Sequence, residues 1–265
     1  MEFPIKERYT IEDLREILVI LRSENGCPWD REQDHHSIRR DFLEETYEVL
    51  EAIDEEDAVL LQEELGDVLL QVVFHARIEE EEKRFDLDDV ITGVCKKMIL
   101  RHPHVFGEVR ADTSEQVLKN WDAIKKEEKS QKTDTDTLTS VPKVLPSLMR
   151  SEKIFKRAER AGVSCPDQEA AIRLLLKQVT ALTEDCSDSC SDKKEEKFGA
   201  VLLSLVNLSR FFAVDCEKSL TNAVEKFINR FSEIEKLALT TGKPLKEADS
   251  DVWDSLWQNG EGSEK

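Results

Sequence analysis

Residues 58–82 read AVLLQEELGDVLLQVVFHARIEEEE, and the two acids in the middle of this run decide what kind of fold can hold it. There is no alternation of apolar and polar residues, so the stretch predicts a helix and not a strand. Leu61, Leu65, Val68, Leu69, Val72 and Val73 fall on several sides of that helix, which predicts burial nearly all round. One row along it runs Leu60, Glu64, Asp67, Gln71, Phe74, Ile78. Glu64 and Asp67 are spaced i, i+3 and so share a face. Carboxylates carried into a bundle interior without partners either cost several kcal/mol or take up a proton.

Working outward, Asp57 precedes the run as a capping residue, and a second helix is expected just before it, from about Ser37 to Ile53. There Glu45 and Glu48 repeat the i, i+3 spacing, with Glu45 in a row with Phe42 and Val49. Glu44 and Glu51 fall on the Arg40–Tyr47 side and read as a solvated face. Four converging carboxylates repel one another unless a cation joins them, and all-oxygen ligation favours a hard ion such as Mg²⁺. Further helices are expected from Thr10 to about Leu21, from Asp86 to before Pro103, and from Thr113 to Lys129. Glu24–Asp34 is expected as a loop, marked by Asn25-Gly26 and Pro28.

Beyond these, Ser130–Ser140 (SQKTDTDTLTS) has no apolar period and reads as a linker over 131–141. It divides a first domain, 1–130, from a second, 142–265. Helical patterns return near Leu148–Ala161, Glu169–Leu182, Glu195–Phe212, Glu217–Leu239 and Val252–Trp257, with Asp185–Ser191 as a polar turn. The fold class is all-α, two tandem helical bundles. The halves echo one another. Glu63–Leu70 resembles Glu196–Leu203, Lys97 and Arg101 resemble Lys226 and Arg230, and Trp121–Ile124 resembles Trp253–Leu256.

Composition sets outer limits. The net charge of −19 repels phosphodiester backbones, so a nucleic-acid polymer is a poor partner. Met1–Thr10 has no apolar leader-like run and no later stretch approaches a membrane span, which predicts a cytoplasmic protein with no membrane partner. The six cysteines show no disulfide framework, and Cys186 and Cys190 read as free thiols. His102 and His104 lack the partners a zinc site needs, and His75 reads as a packed core histidine.

The residues resemble a known family at this point. Glu44-Glu45-Thr46-Tyr47-Glu48 followed by Glu64-Leu65-Gly66-Asp67 matches the EExxE…ExxD pattern of the MazG nucleoside triphosphate pyrophosphohydrolases. Gly26-Cys27-Pro28-Trp29-Asp30, Arg101-His102-Pro103-His104-Val105-Phe106 and Trp121-Asp122-Ala123-Ile124-Lys125 resemble its flanking segments. Asp34 departs from the pattern, which has Thr before the His. The resemblance implies an all-α enzyme, a homodimer or higher even oligomer, that converts nucleoside triphosphates to monophosphate and pyrophosphate. It implies Glu45, Glu48, Glu64 and Asp67 as Mg²⁺ ligands, with Glu44 assisting water activation. Lys97, Arg101 and Lys125 are then candidate triphosphate contacts, and Trp29 and Trp121 candidate base-stacking residues. Read without the resemblance, the three cations are equally surface charges and the two tryptophans are core packing.

By the offset of the Glu63–Leu70 match, the four acids correspond to Gln178, Ala181, Lys197 and Ala200. A Mg²⁺ site cannot be built from those side chains, so the second half is expected to be non-catalytic. A narrower pyrophosphohydrolase, on dUTP or a phosphoribosyl nucleotide, stays open, as does a helical regulator with marginal activity.

Overall fold

The computed structural model describes residues 3–128, 131–184, 191–241 and Leu245, all of them in helices or the loops between them, with no strand among the described residues. The expected helix Val252–Trp257, the Trp253–Leu256 echo, and the polar tract 185–190 lie outside them. The chain forms two compact units, Met1–Lys125 and Lys126–Lys265. No single described helix is long and apolar enough to cross a membrane.

In the first unit, α1 (Ile11–Leu21) opens with the expected capping box: the Thr10 side chain accepts from the Asp13 backbone N–H and Asp13 answers to the Thr10 N–H. Lys6 pairs with the same carboxylate at 2.5 Å. A one-turn helix follows, α2 (Pro28–Glu32), then α3 (Arg39–Asp54), α4 (Ala58–Glu81), α5 (Leu87–Arg101), the one-turn α6 (Pro103–Phe106) and α7 (Ser114–Glu128). The loop expected over Glu24–Asp34 therefore contains a helical turn. Pro28 at its first position loses no hydrogen bond there and pre-sets φ. Pro103 does the same for α6.

α3 and α4 form an antiparallel hairpin. It turns at Glu56, whose φ of 56° is left-handed, and Asp57 closes it by accepting from the Val59 and Leu60 N–H groups at 2.9 and 3.1 Å. The core sits at the far end of this hairpin. Leu18 of α1, Ile38, Val73, Phe74, Ala76 and Ile78 of α4, and Leu87 of α5 pack together. The expectation that α4 is buried all round is corrected. Its C-terminal half is buried, but Leu65 and Leu69 in its first half are exposed, as are Leu43, Tyr47 and Leu50 of α3. The reason is length: α4 runs 24 residues, and α1 covers only its second half.

The second unit contains α8 (Asp134–Thr139), α9 (Ser147–Arg160), α10 (Gln168–Glu184), α11 (Ser191–Ser209), a 3₁₀ turn (Arg210–Phe212) and α12 (Cys216–Thr241). The segment 131–141, expected as a linker, holds a helix. Thr133 and Asp136 make a capping box, and Arg157 of α9 donates to the Thr137 carbonyl and, at 2.8 Å, to Ser140 Oγ. α11 begins four residues before the expected Glu195. α9 is joined to the start of α12 by Glu152 accepting from the Cys216 N–H at 2.8 Å.

Candidate metal centre

The α3–α4 hairpin places Glu45 and Glu48 opposite Glu64 and Asp67. Ligand oxygens of Glu45, Glu48 and Glu64 all lie within 4.8 Å of one another. Glu64 is 8% exposed, while its chain neighbour Leu65 is 51% exposed. The helix thus buries an acid and shows a leucine to solvent at successive positions, the reverse of what transfer energies favour.

Electrostatics mark the same spot. Burial first, then the Asp67 and Glu48 charges, a hydrogen bond with Glu48 and the Glu64 charge hold the Glu45 carboxyl above its ordinary range. Burial first, then Glu48 and Asp67, with Glu63 and a hydrogen bond to Glu48, raise that of Glu64. Asp67 therefore acts on both neighbours and completes the quartet. Mutual repulsion among crowded acids is relieved by a shared cation, and an all-carboxylate donor set suits a hard divalent ion, so these residues fit one. Glu44 is not brought to the cluster: it points outward, paired to Arg40 at 2.8 Å.

The remaining candidates lie on other elements of the first unit. Trp29 lies on α2, 58% exposed. Lys97 is exposed on α5 and Arg101 half-buried one turn on. Trp121 of α7 packs edge-on against His102, ring centres 5.3 Å apart, and Lys125 is half-buried on the same helix. His102 Nδ1 is in turn 2.6 Å from the Met98 carbonyl.

Two features escaped the sequence reading. Arg22, at the end of α1, is almost completely buried. It pairs with Glu81 of α4 at 2.8 Å, donates to the carbonyls of Asp30 and Gln33, and lays its guanidinium over Phe74 at 5.3 Å. It thereby ties the segment bearing Trp29 to α4. The only signal was a lone arginine closing an apolar helix just before an Asn-Gly loop. The second feature is a polar chain at the C-terminal end of α4. Arg84 binds Glu79, Glu79 lies 2.5 Å from His35 Nε2, and His35 Nδ1 lies 2.7 Å from His75 Nδ1. The Arg84 hydrogen bonds, with His35, hold Glu79 down at about 2. Burial and then the nearby His35 lower His75. His75, expected to be a packed core histidine, is packed edge-on by Phe42 and hydrogen-bonded.

The second unit has the same hairpin register without the acids. In the first unit Glu64 meets Glu48; in the second, Lys197 Nζ donates to the Ala181 carbonyl at 3.2 Å, the pair of positions related by the sequence offset. Among the described residues, no three-acid cluster occurs there.

Residues 33–106 match the MazG nucleotide pyrophosphohydrolase domain model, a span that contains the whole hairpin. The chain is 39% identical over 251 residues to a nucleoside triphosphate pyrophosphohydrolase of Escherichia coli (strain K12), covering 94% of this chain and 95% of that protein. It is 39% identical over 256 residues to the nucleoside triphosphate pyrophosphohydrolase/pyrophosphatase MazG of Thermotoga maritima, covering 96% of each. It is also 40% identical over 267 residues to the uncharacterized protein YabN of Bacillus subtilis (strain 168), covering 99% of this chain but spanning only 54% of YabN.

Proposed function

The chain belongs to the MazG family of nucleotide pyrophosphohydrolases, and from that premise we propose that its first unit hydrolyses nucleoside triphosphates to monophosphate and pyrophosphate. The observation that carries the reading is the carboxylate quartet. Ligand oxygens of Glu45, Glu48 and Glu64 converge within 4.8 Å, and burial together with the neighbouring Glu48 and Asp67 charges holds the Glu45 and Glu64 carboxyls above their ordinary range.

Glu45, Glu48, Glu64 and Asp67 would hold Mg²⁺. When bound, that ion supplies charge neutralisation at the phosphate oxygens and acidifies a water in its shell. The protein's own part is positional. The hairpin fixes four carboxylates on two rigid helices, with Glu64 the most buried of them. Water attacks the α-phosphorus and releases a proton to the surrounding solvent, the bond from that phosphorus to the bridging oxygen breaks, and the bridging oxygen leaves with pyrophosphate. Lys97, Arg101 and Lys125 meet the growing charge of the leaving group, and Trp29 and Trp121 offer faces to the base. Glu44, held by Arg40, takes no part in this scheme.

Residues 1–130 form the catalytic domain in this reading, and 142–265 a non-catalytic repeat joined to it through 131–141. The reaction belongs in the cytoplasm, and a second copy of the chain covers the exposed apolar stripe of Leu43, Tyr47, Leu50, Leu65 and Leu69.

The test is pyrophosphate release across the ribo- and deoxyribonucleoside triphosphates with Mg²⁺ and with EDTA. Release from several substrates that EDTA abolishes is expected. Turnover undiminished by EDTA, or orthophosphate as the first product, would contradict the reading.

A further inference from the structure

Gln71 stands one helical turn beyond Asp67 on the same face of α4, about 6 Å further along the helix axis. It is more than nine-tenths buried, and its Oε1 has no hydrogen-bond partner among the described residues. A buried amide carbonyl left unpaired weakens the fold, and native proteins leave few of them. A leucine here would extend the apolar row into Phe74 and Ile78, so packing does not explain a glutamine at this position. The polar chain of His35, His75, Glu79 and Arg84, which begins one turn further on, satisfies its own members and does not reach Gln71. Gln71 therefore lies between the carboxylate layer and a closed polar end, with an acceptor and nothing to accept from.

Any ligand group that reaches this oxygen must bring a hydrogen to donate. An ionised phosphate has none. In a nucleotide whose α-phosphate lies at the carboxylates, the first donors beyond the phosphorus are the sugar hydroxyls. We propose that Gln71 accepts a hydrogen bond from a sugar hydroxyl of the nucleotide and so sets the preference among ribo, deoxy and dideoxy substrates. This rests on the function proposed above for the carboxylate quartet.

The experiment compares wild type with Gln71→Met, which keeps the side-chain length, and Gln71→Leu. kcat/KM for pyrophosphate release is measured on ribo-, deoxy- and 2′,3′-dideoxynucleoside triphosphates, and Tm is measured without ligand. Wild type should lose about tenfold at whichever step of the series removes the bonded hydroxyl, and both variants should lose that step while changing little on the dideoxy substrate. Both variants should also melt higher than wild type, by about 2–4 °C, because an unmet buried carbonyl is gone. An equal fall on all three substrates would move Gln71 to orienting water and overturn the proposal, as would no kinetic change. A lowered Tm in both variants would show that protein groups satisfy Gln71 and would overturn it too. If wild type released no pyrophosphate from any substrate, the function assigned to the quartet would fail, and the Tm comparison would still judge Gln71.

Discussion

Glu64 shows how a single residue can be read from sequence and where that reading stops. A glutamate in an apolar row has no packing reason to be there, so its being a buried acid was legible without coordinates. What the row could not show was that Leu65, next to it, faces solvent, because side-chain direction depends on which neighbouring helix covers each turn. Gln71 lay in the same legible row, yet an uncharged amide gives no signal until its missing partner is seen. The raised Glu64 carboxyl leads to a direct expectation. A carboxyl whose folded pKa lies above its ordinary 4.5 binds protons more readily folded than unfolded, so it weakens the fold as pH rises through that range. Glu64→Gln should therefore raise Tm in metal-free protein at pH 7, and the gain should fade as pH falls through the raised carboxyl range and be gone below about 4.5, where both states are protonated. Mg²⁺ should raise the Tm of wild type and leave the variant unmoved. A variant that melts lower than wild type at pH 7 without metal, or still responds to Mg²⁺, would contradict the assignment.

At the scale of elements, the long helices were legible and the one-turn ones were not. α1, α3, α4 and α5 carry several turns of apolar spacing, and α1, α4 and α5 recognisable caps, whereas α2, α6 and α8 have four to six residues and no room for a period. Their signals were local: Pro28 and Pro103 at first positions, and the Thr133–Asp136 capping box inside the segment read as a linker. The placement of α2 depends on tertiary contacts that no local pattern encodes. Gly26 makes the turn possible, since a Cβ there would come within 2.2 Å of the Leu21 carbonyl oxygen, and Arg22 then clasps the segment to α4. Arg22→Met should cost about 2–3 kcal/mol, because it strands the Asp30 and Gln33 carbonyls and leaves Glu81 with Arg77 alone. Urea denaturation measures this directly. An unchanged midpoint and slope would mean that the clasp contributes nothing to the fold.

For the whole molecule, the repeat was legible in sequence as a shared order of short matches, and the hairpin registers give it a physical form. Glu64 meets Glu48 in one unit, and Lys197 meets the Ala181 backbone in the other. One hairpin geometry thus serves two different interiors, a repulsive one that invites a cation and one that already carries an ammonium group. The exposed stripe on the first hairpin was not legible, because a row of leucines predicts burial without saying against what. If a second copy covers it, light scattering should give an even multiple of the 30.5 kDa chain, and Leu69→Lys should halve the mass without unfolding the protein. A wild-type monomer would contradict that arrangement.

In the proposed reaction the quartet of the first hairpin directs water to the α-phosphorus, and nothing in the second unit does so. Turnover in ¹⁸O-labelled water by full-length wild type and by Glu64→Gln tests it most directly. One ¹⁸O atom is expected in the nucleoside monophosphate, none in the pyrophosphate, and no turnover by the variant. Label in the pyrophosphate, or labelled product from Glu64→Gln at the wild-type rate, would contradict it.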